Sequence, residues 1–217
     1  MMKRLTLFFM CILVVFATSS CGLLKQGQEK YDKLVDADET CTKAWSNIDV
    51  QLQRRTDLIP NLVETVKGYT QHEHDTLQAV QEARSAATQV RLEYKPGVDD
   101  FSDPTKMAAF QQAQSGLSQA LGKLMAVQEN YPNLKADPLF SNLMAEMAGT
   151  ENRIAFARKQ YNDAVFSYNT ELRHVSGKIV NPITGDEFKP RLPFSADPDA
   201  RNAPKVSFSN PAPSASK

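Results

Sequence analysis

The sequence predicts an all-α protein: an antiparallel up-and-down four-helix bundle, with an N-terminal signal or anchor segment in front and an extended, Pro-rich C-terminal tail behind. Three observations predict it. Apolar residues recur at gaps of three and four along four long stretches. Short connections carrying Asp or Pro separate these stretches. Beyond Lys178 the chain meets Pro182, Pro190, Pro193, Pro198, Pro204, Pro211 and Pro213, so no helix can continue. A hydrophobic fraction of 41% over 217 residues is enough to bury one core.

The first stripe is Tyr31, Leu34, Val35, Cys41, Trp45, Ile48 and Leu52. The segment from Gln53 to Pro60 then reads as a tight turn near residues 55–57. Asp57 is a good N-cap, Pro60 falls in a first turn, and Arg54 and Arg55 suit the end of the preceding helix. The second stripe runs through Ile59, Leu62, Val63, Val66, Tyr69, Leu77, Val80, Ala83, Ala87 and Val90, stopping before Lys95-Pro96-Gly97. Asp103-Pro104 starts a third helix carrying Met107, Phe110, Leu117, Leu121, Leu124 and Val127, which ends before Tyr131-Pro132. Asp137-Pro138 starts a fourth, with Phe140, Leu143, Met144, Met147, Ile154, Tyr161, Val165, Tyr168 and Leu172. It stops at Ser176-Gly177, where glycine suits a C-terminal cap. The four lengths come to roughly 40 to 57 Å, close enough to lie side by side. A single helix over the first two stripes would reach roughly 100 Å and leave half its stripe uncovered. Phe188, Phe194, Val206 and Phe208 are expected to pin an extended tail along the bundle, with disorder after about Asn210. The organisation is therefore a leader over 1–21, a polar tether over 22–29, a bundle over 30–176 and a tail over 177–217.

The leader has a positive start (Lys3, Arg4), an apolar run from Leu5 to Ala17, and small residues ending in Cys21. That layout is a secretion signal, and the apolar run is shorter than the roughly 20 residues a spanning helix needs. Ser20-Cys21-Gly22 resembles a bacterial lipobox, with Thr18 standing where leucine is usual. The resemblance implies that Cys21 is the lipidation site and the N-terminus after cleavage. Acyl chains contribute about 0.8 kcal/mol per buried methylene, so two or three hold firmly. An uncleaved anchor from Leu5 to Leu24 is the alternative, and a plain secreted protein the third reading. All three place the body outside the cytoplasm, in the bacterial cell envelope.

Composition excludes several partners. Lys+Arg and Asp+Glu stand at 25 each, which gives no electrostatic case for nucleic acid. Cys11 and Cys21 belong to the leader and Cys41 stands alone, so the body has no disulfide framework. His72-Glu73-His74 invites a metal reading, but residues two apart on a helix point to different sides and no HExxH follows. Arg54, Arg55, Glu73, Arg84, Glu129, Glu151, Asn152 and Arg158 lie nearest the apolar stripes. They read as a structural polar network fixing helix register, with Asn47 and Asn61 as further members, rather than as a reactive centre. Trp45 and the Met144–Met147 pair read as core, and Cys41 as a buried, inert thiol. With no phosphate loop, catalytic triad order or CxxC, the expectation is no catalytic residues, no cofactor and no metal.

The run from Ala44 through Trp45-Ser46-Asn47-Ile48-Asp49 to Arg55, followed by Asp57-Leu58-Ile59-Pro60-Asn61-Leu62-Val63, resembles the signature of the LemA family. Glu82-Ala83-Arg84, Glu129-Asn130-Tyr131-Pro132-Asn133-Leu134, Thr150-Glu151-Asn152-Arg153-Ile154 and Arg158-Lys159-Gln160-Tyr161-Asn162 fit as well. The resemblance covers about residues 28–173, with an echo at Lys189-Pro190 to Phe194. It implies a helical bundle on an N-terminal membrane anchor and no settled enzymatic activity. The expected function is thus a non-enzymatic, membrane-tethered module that binds or organises an envelope partner. A bundle with an inter-helical polar or metal site, and a self-assembling surface protein that forms homo-oligomers, are the alternatives.

Overall fold

The structure, a computed structural model, describes residues 2–70, 73–90, 92, 94–95, 98–174, 178, 181–182, 184–185 and 188–195. For residues 2–26, 94–95 and 98–99 it describes the backbone path alone. Among the described residues the protein is all-α apart from a two-residue antiparallel pairing of Tyr94–Lys95 with Val98–Asp99. In chain order the helices are α1 (Met2–Lys67), α2 (His74–Gln89), α3 (Pro104–Val127), the single turn α4 (Pro132–Lys135) and α5 (Pro138–Arg173). Arg54 meets Glu146, Gln51 meets Arg153 and Trp45 meets Tyr161, so α1 and α5 run antiparallel. Ala87 meets Gln114 and Glu73 meets Tyr131, so α2 and α3 do too.

Helix starts follow the sequence reading. Asp103 accepts from the backbone N–H groups of Thr105 (2.8 Å) and Lys106 (3.3 Å). Asp137 does the same for Leu139 (2.7 Å) and Phe140 (3.1 Å), and each cap is followed by proline at the first helical position.

The expected turn near residues 55–57 is absent: α1 passes through Pro60 without a break. Proline at position 60 has no N–H, so the Thr56 carbonyl loses its helical donor. Arg84, on α2, donates its Nε to that carbonyl at 3.1 Å and makes good the loss. Asp57 caps nothing; it accepts from Gln53 Nε2 on the exposed face. The chain turns instead at Gly68, where the amides of Gly68, Tyr69 and Thr70 close back onto Glu64, Thr65 and Val66. The second helix therefore runs from His74 to Gln89 rather than from 57 to 94. At the far end α5 stops at Arg173, the His174 amide closing onto Thr170 and Glu171; Ser176-Gly177 lie outside the described residues. Residues 22–29, read as a tether, are helical in continuity with α1. Side chains of the leader, Cys21 included, and the tail beyond Ser195 also lie outside the description. Among the described residues no helix is long and apolar enough to cross a membrane.

Length now shapes the core. From residue 30 to its end α1 covers roughly 57 Å, and α5 about 54 Å, whereas α2 and α3 reach only about 24 and 36 Å. Half of the α1–α5 seam thus has helical cover. There Ile59, Leu62, Val63 and Val66 pack with Val80, Leu117, Leu124 and Met147. The other half holds Trp45 at its centre, with ring centroids of Phe101, Phe110, Tyr161 and Phe194 4.8 to 5.8 Å away. It is closed by Leu92, Phe101 and the tail residues Phe188 and Phe194, all buried. The expected pinning by these two phenylalanines is found; Val206 and Phe208 are outside the described residues.

Arg84→Ala should cost about 1–3 kcal/mol in urea unfolding, the penalty for an orphaned carbonyl. In a Pro60→Ala background, where residue 60 supplies its own amide, the same change should cost about 1 kcal/mol less; equal costs in both backgrounds would refute the compensation. A second expectation concerns Asp137, which the Tyr69 hydroxyl and then the Phe140 and Leu139 amides hold below the ordinary value of 3.8. A carboxyl lowered on folding contributes stability above that ordinary value and loses it as pH falls through the lowered one. The stability gap between wild type and Asp137→Asn should therefore close on acidification below about pH 4, as read by urea midpoints across pH.

Candidate functional site

Between the two halves of the core lies a polar layer. It falls between Leu52 and Ile59 on α1, at Gln114 and Ser118 either side of Leu117 on α3, and between Met147 and Ile154 on α5. Its centre is Arg55, wholly buried. Arg55 Nη1 donates to Ser118 Oγ and to Glu151 Oε1, both at 3.1 Å, and Nη2 donates to Gln114 Oε1. Gln114, itself buried, passes the chain on by donating Nε2 to the Ala87 carbonyl at the end of α2 (3.2 Å). One guanidinium thus ties α1 to α3 and α5 directly and to α2 through an amide. Arg84 on Thr56 lies one residue along α1 from this layer.

The residues expected to form one network do not stay together. Arg55, Glu151 and, at the layer's edge, Arg84 come together. Arg54 pairs with Glu146 at 3.7 Å with both side chains about half exposed, and Glu129 pairs with Lys135 at 3.8 Å in solvent. Glu73 accepts from the Tyr131 hydroxyl (3.2 Å) at the turn end of the molecule. Arg158 lies over the Phe194 ring, 5.1 Å from its centroid. Asn152 is exposed, as are Asn47 and Asn61, so none of these joins the layer. Asn152 sits one residue past Glu151, and one residue is about 100° around a helix.

Gln114 and Ser118 were missed by sequence reasoning, although Gln114 interrupts an apolar stripe between Phe110 and Leu117, which is a readable signal. A second buried arginine was also missed. Arg191 reaches from the tail to Asp38 Oδ1 (2.8 Å) and Thr42 Oγ1 (3.1 Å), and stacks over Phe101 and Tyr168. Its position in a proline-rich segment carried no helical phase to read.

A cleft of about 110 Å³ adjoins the layer, lined among others by Asp49, Gln53, Thr56, Thr88 and Gln114. It has room for a few waters at roughly 30 Å³ each, against the 300 Å³ or more of ordinary ligand sites. Among the described residues no three His, Cys, Asp or Glu side chains converge as metal ligands. His74 is exposed at the first position of α2, and His72 lies outside the described residues. Cys41 is buried within the aromatic half of the core. The layer's chemistry is thus that of a charge held by a carboxylate, an amide and a hydroxyl, with Glu151 about one-third exposed at its rim.

Arg55→Ala should destabilise by about 3 kcal/mol, since it strands Gln114 and Glu151. Glu151→Gln should cost only about 1 kcal/mol, because the rim carboxylate is partly screened by water. Urea unfolding of the two variants gives the order, and a reversed order would show that the arginine is not the centre of the layer.

The sequence profile of the LemA family matches residues 44–208. The chain is 26% identical over 186 residues to magnetosome proteins MamQ 1 and MamQ 2 of Paramagnetospirillum magneticum, covering 80% of this chain and 68% of theirs. It is 26% identical over 168 residues to magnetosome protein MamQ of Magnetospirillum gryphiswaldense, covering 72% of this chain and 62% of that one. It is 24% identical over 129 residues to protein LemA of Metamycoplasma hominis, covering 59% and 53%. The matched span contains the polar layer, the docked tail and all of the core but its first residues, such as Leu34 and Cys41, and the chain belongs to the LemA family.

Proposed function

We propose that this LemA-family chain is a non-enzymatic module of the bacterial envelope: an up-and-down four-helix bundle held at a membrane by a lipid on Cys21, presenting its surface to an envelope partner. The observation that carries the reading is the leader, with Lys3 and Arg4, an apolar run too short to span, and Ser20-Cys21-Gly22. The fold supports it from the other side. The backbone of α1 is helical from Cys21 into the core, so whatever holds that residue holds the bundle. The interior supports the non-enzymatic part, because the layer's guanidinium and carboxylate are engaged with each other and the adjoining cleft is small. The relatives named for the magnetosome fit an association with membranes.

Feeding cells a labelled fatty acid and comparing wild type with Cys21→Ser tests the anchor. Label and membrane retention are both expected in the wild type and lost in the variant. Retention without label in either protein would replace the lipid by an uncleaved helix from Leu5 to Leu24, and an unlabelled wild type free of membranes would end the proposal.

A further inference from the structure

The tail segment from Phe188 to Ser195 is read by the body in a regular way. Asn181 accepts from the Phe188 amide (2.9 Å) and donates to its carbonyl (3.0 Å). Asn169 does the same for Arg191 (3.0 and 2.8 Å), and Asn162 for Phe194 (2.8 and 3.1 Å). The clamped residues are three apart, and they are also the buried ones of the segment. Three is the period of a polyproline II helix, and one turn of it advances about 9 Å. Asn162 and Asn169 are seven residues apart on α5, about 10.5 Å along its axis. The two rulers agree, so α5 can grip successive turns of an extended segment lying along it.

Pro190 and Pro193 fall between the clamps, where no amide is asked for. Two further amides of the segment are taken up: Leu192 donates to the Phe101 carbonyl (2.8 Å) and Ser195 to Gln111 (3.1 Å). Carbonyls are read as well, Lys189 by the Tyr168 hydroxyl (2.9 Å) and Pro190 by Ser102 (2.7 Å). Side-chain selection comes from Asp38 and Thr42 on Arg191 and from the Trp45 cluster on Phe194.

We propose that this groove is a recognition site for an extended Phe-x-Pro-Arg-x-Pro-Phe segment, and that it takes that segment from a second copy of the chain whenever its own is out of place. Apart from the Asn181 clamp, which lies just ahead of it in the tail, the segment is held by a groove built from α1, α3, α5 and the turn before α3, so recognition does not need the covalent link. A second copy is the partner argued for because it carries the one segment whose fit is on the page. In the intact chain the linked segment has an effective concentration in the millimolar range, which keeps docking internal.

Two full-length variants test this. Asn162→Ala with Asn169→Ala spoils the groove and leaves the tail intact. Phe188→Ala, Arg191→Ala and Phe194→Ala together spoil the tail and leave the groove. Each alone should remain monomeric in sedimentation, and an equal mixture should form a one-to-one heterodimer. Two folded variants, judged by helical circular dichroism, that stay apart on mixing would overturn the proposal. Should either variant unfold, the full chain with a protease site inserted at Thr184-Gly185 is folded, nicked and challenged with a labelled peptide of residues 188–195. Saturable binding, at least tenfold weaker for the Arg191→Ala peptide, supports the site, with Trp45 emission as a second readout. No uptake of peptide, or uptake indifferent to that change, overturns it.

Discussion

A guanidinium removed from water needs acceptors, and the two Nη groups of Arg55 find theirs only if three helices keep one register. Ser118, Gln114 and Glu151 come from two helices whose apolar stripes would otherwise slide past α1 in steps of a turn with little change in burial. The aliphatic contacts supply most of the cohesion, and the charge selects one alignment among several. Once α1, α3 and α5 are aligned there, Gln114 reaches the end of α2, and Arg84 comes to the carbonyl that Pro60 leaves bare. A helix that contains proline is tolerated because a neighbour, placed by the same layer, completes it.

Local physics was legible in the sequence. The apolar stripes, the two Asp-Pro starts, the burial of Trp45, Cys41 and Met147, and the docking of Phe188 and Phe194 all depend on residues a few positions apart or on plain hydrophobicity. Long-range compensation was not. Arg54-Arg55, Asp57 and Pro60 satisfy every nearby criterion for a turn, and the group that overrules them, Arg84, lies 28 residues away in sequence. The polar layer was half visible. Charged members stood out by type and Gln114 by breaking an apolar stripe, while Ser118, a small neutral residue, is distinguished only by what faces it. Exposed Asn152 was drawn in by its neighbour Glu151, a reminder that adjacency along a helix is divergence around it.

The unequal lengths of the helices explain why a proline-rich segment belongs to the core at all. Where α2 and α3 fall short, the α1–α5 seam would face water with Trp45, Tyr161 and Tyr168 uncovered. A third helix would need far more chain than the eight residues from Phe188 to Ser195 that close the gap. An extended strip whose amides at Phe188, Arg191, Phe194 and Ser195 are bonded to side chains, at Leu192 to the Phe101 carbonyl, and absent at Pro190 and Pro193, needs no sheet partner.

The continuity of α1 has a mechanical sequel. Between Met2 and Lys67 there is no loop to act as a swivel, and the shaft is clasped along its side by α5 and the tail. A twist applied at its root is carried through the shaft to the whole body, and a pull along it is resisted by shearing against α5 over several turns at once rather than by peeling one contact at a time. The azimuth of each residue along that shaft follows from the orientation of its root, at about 100° per residue.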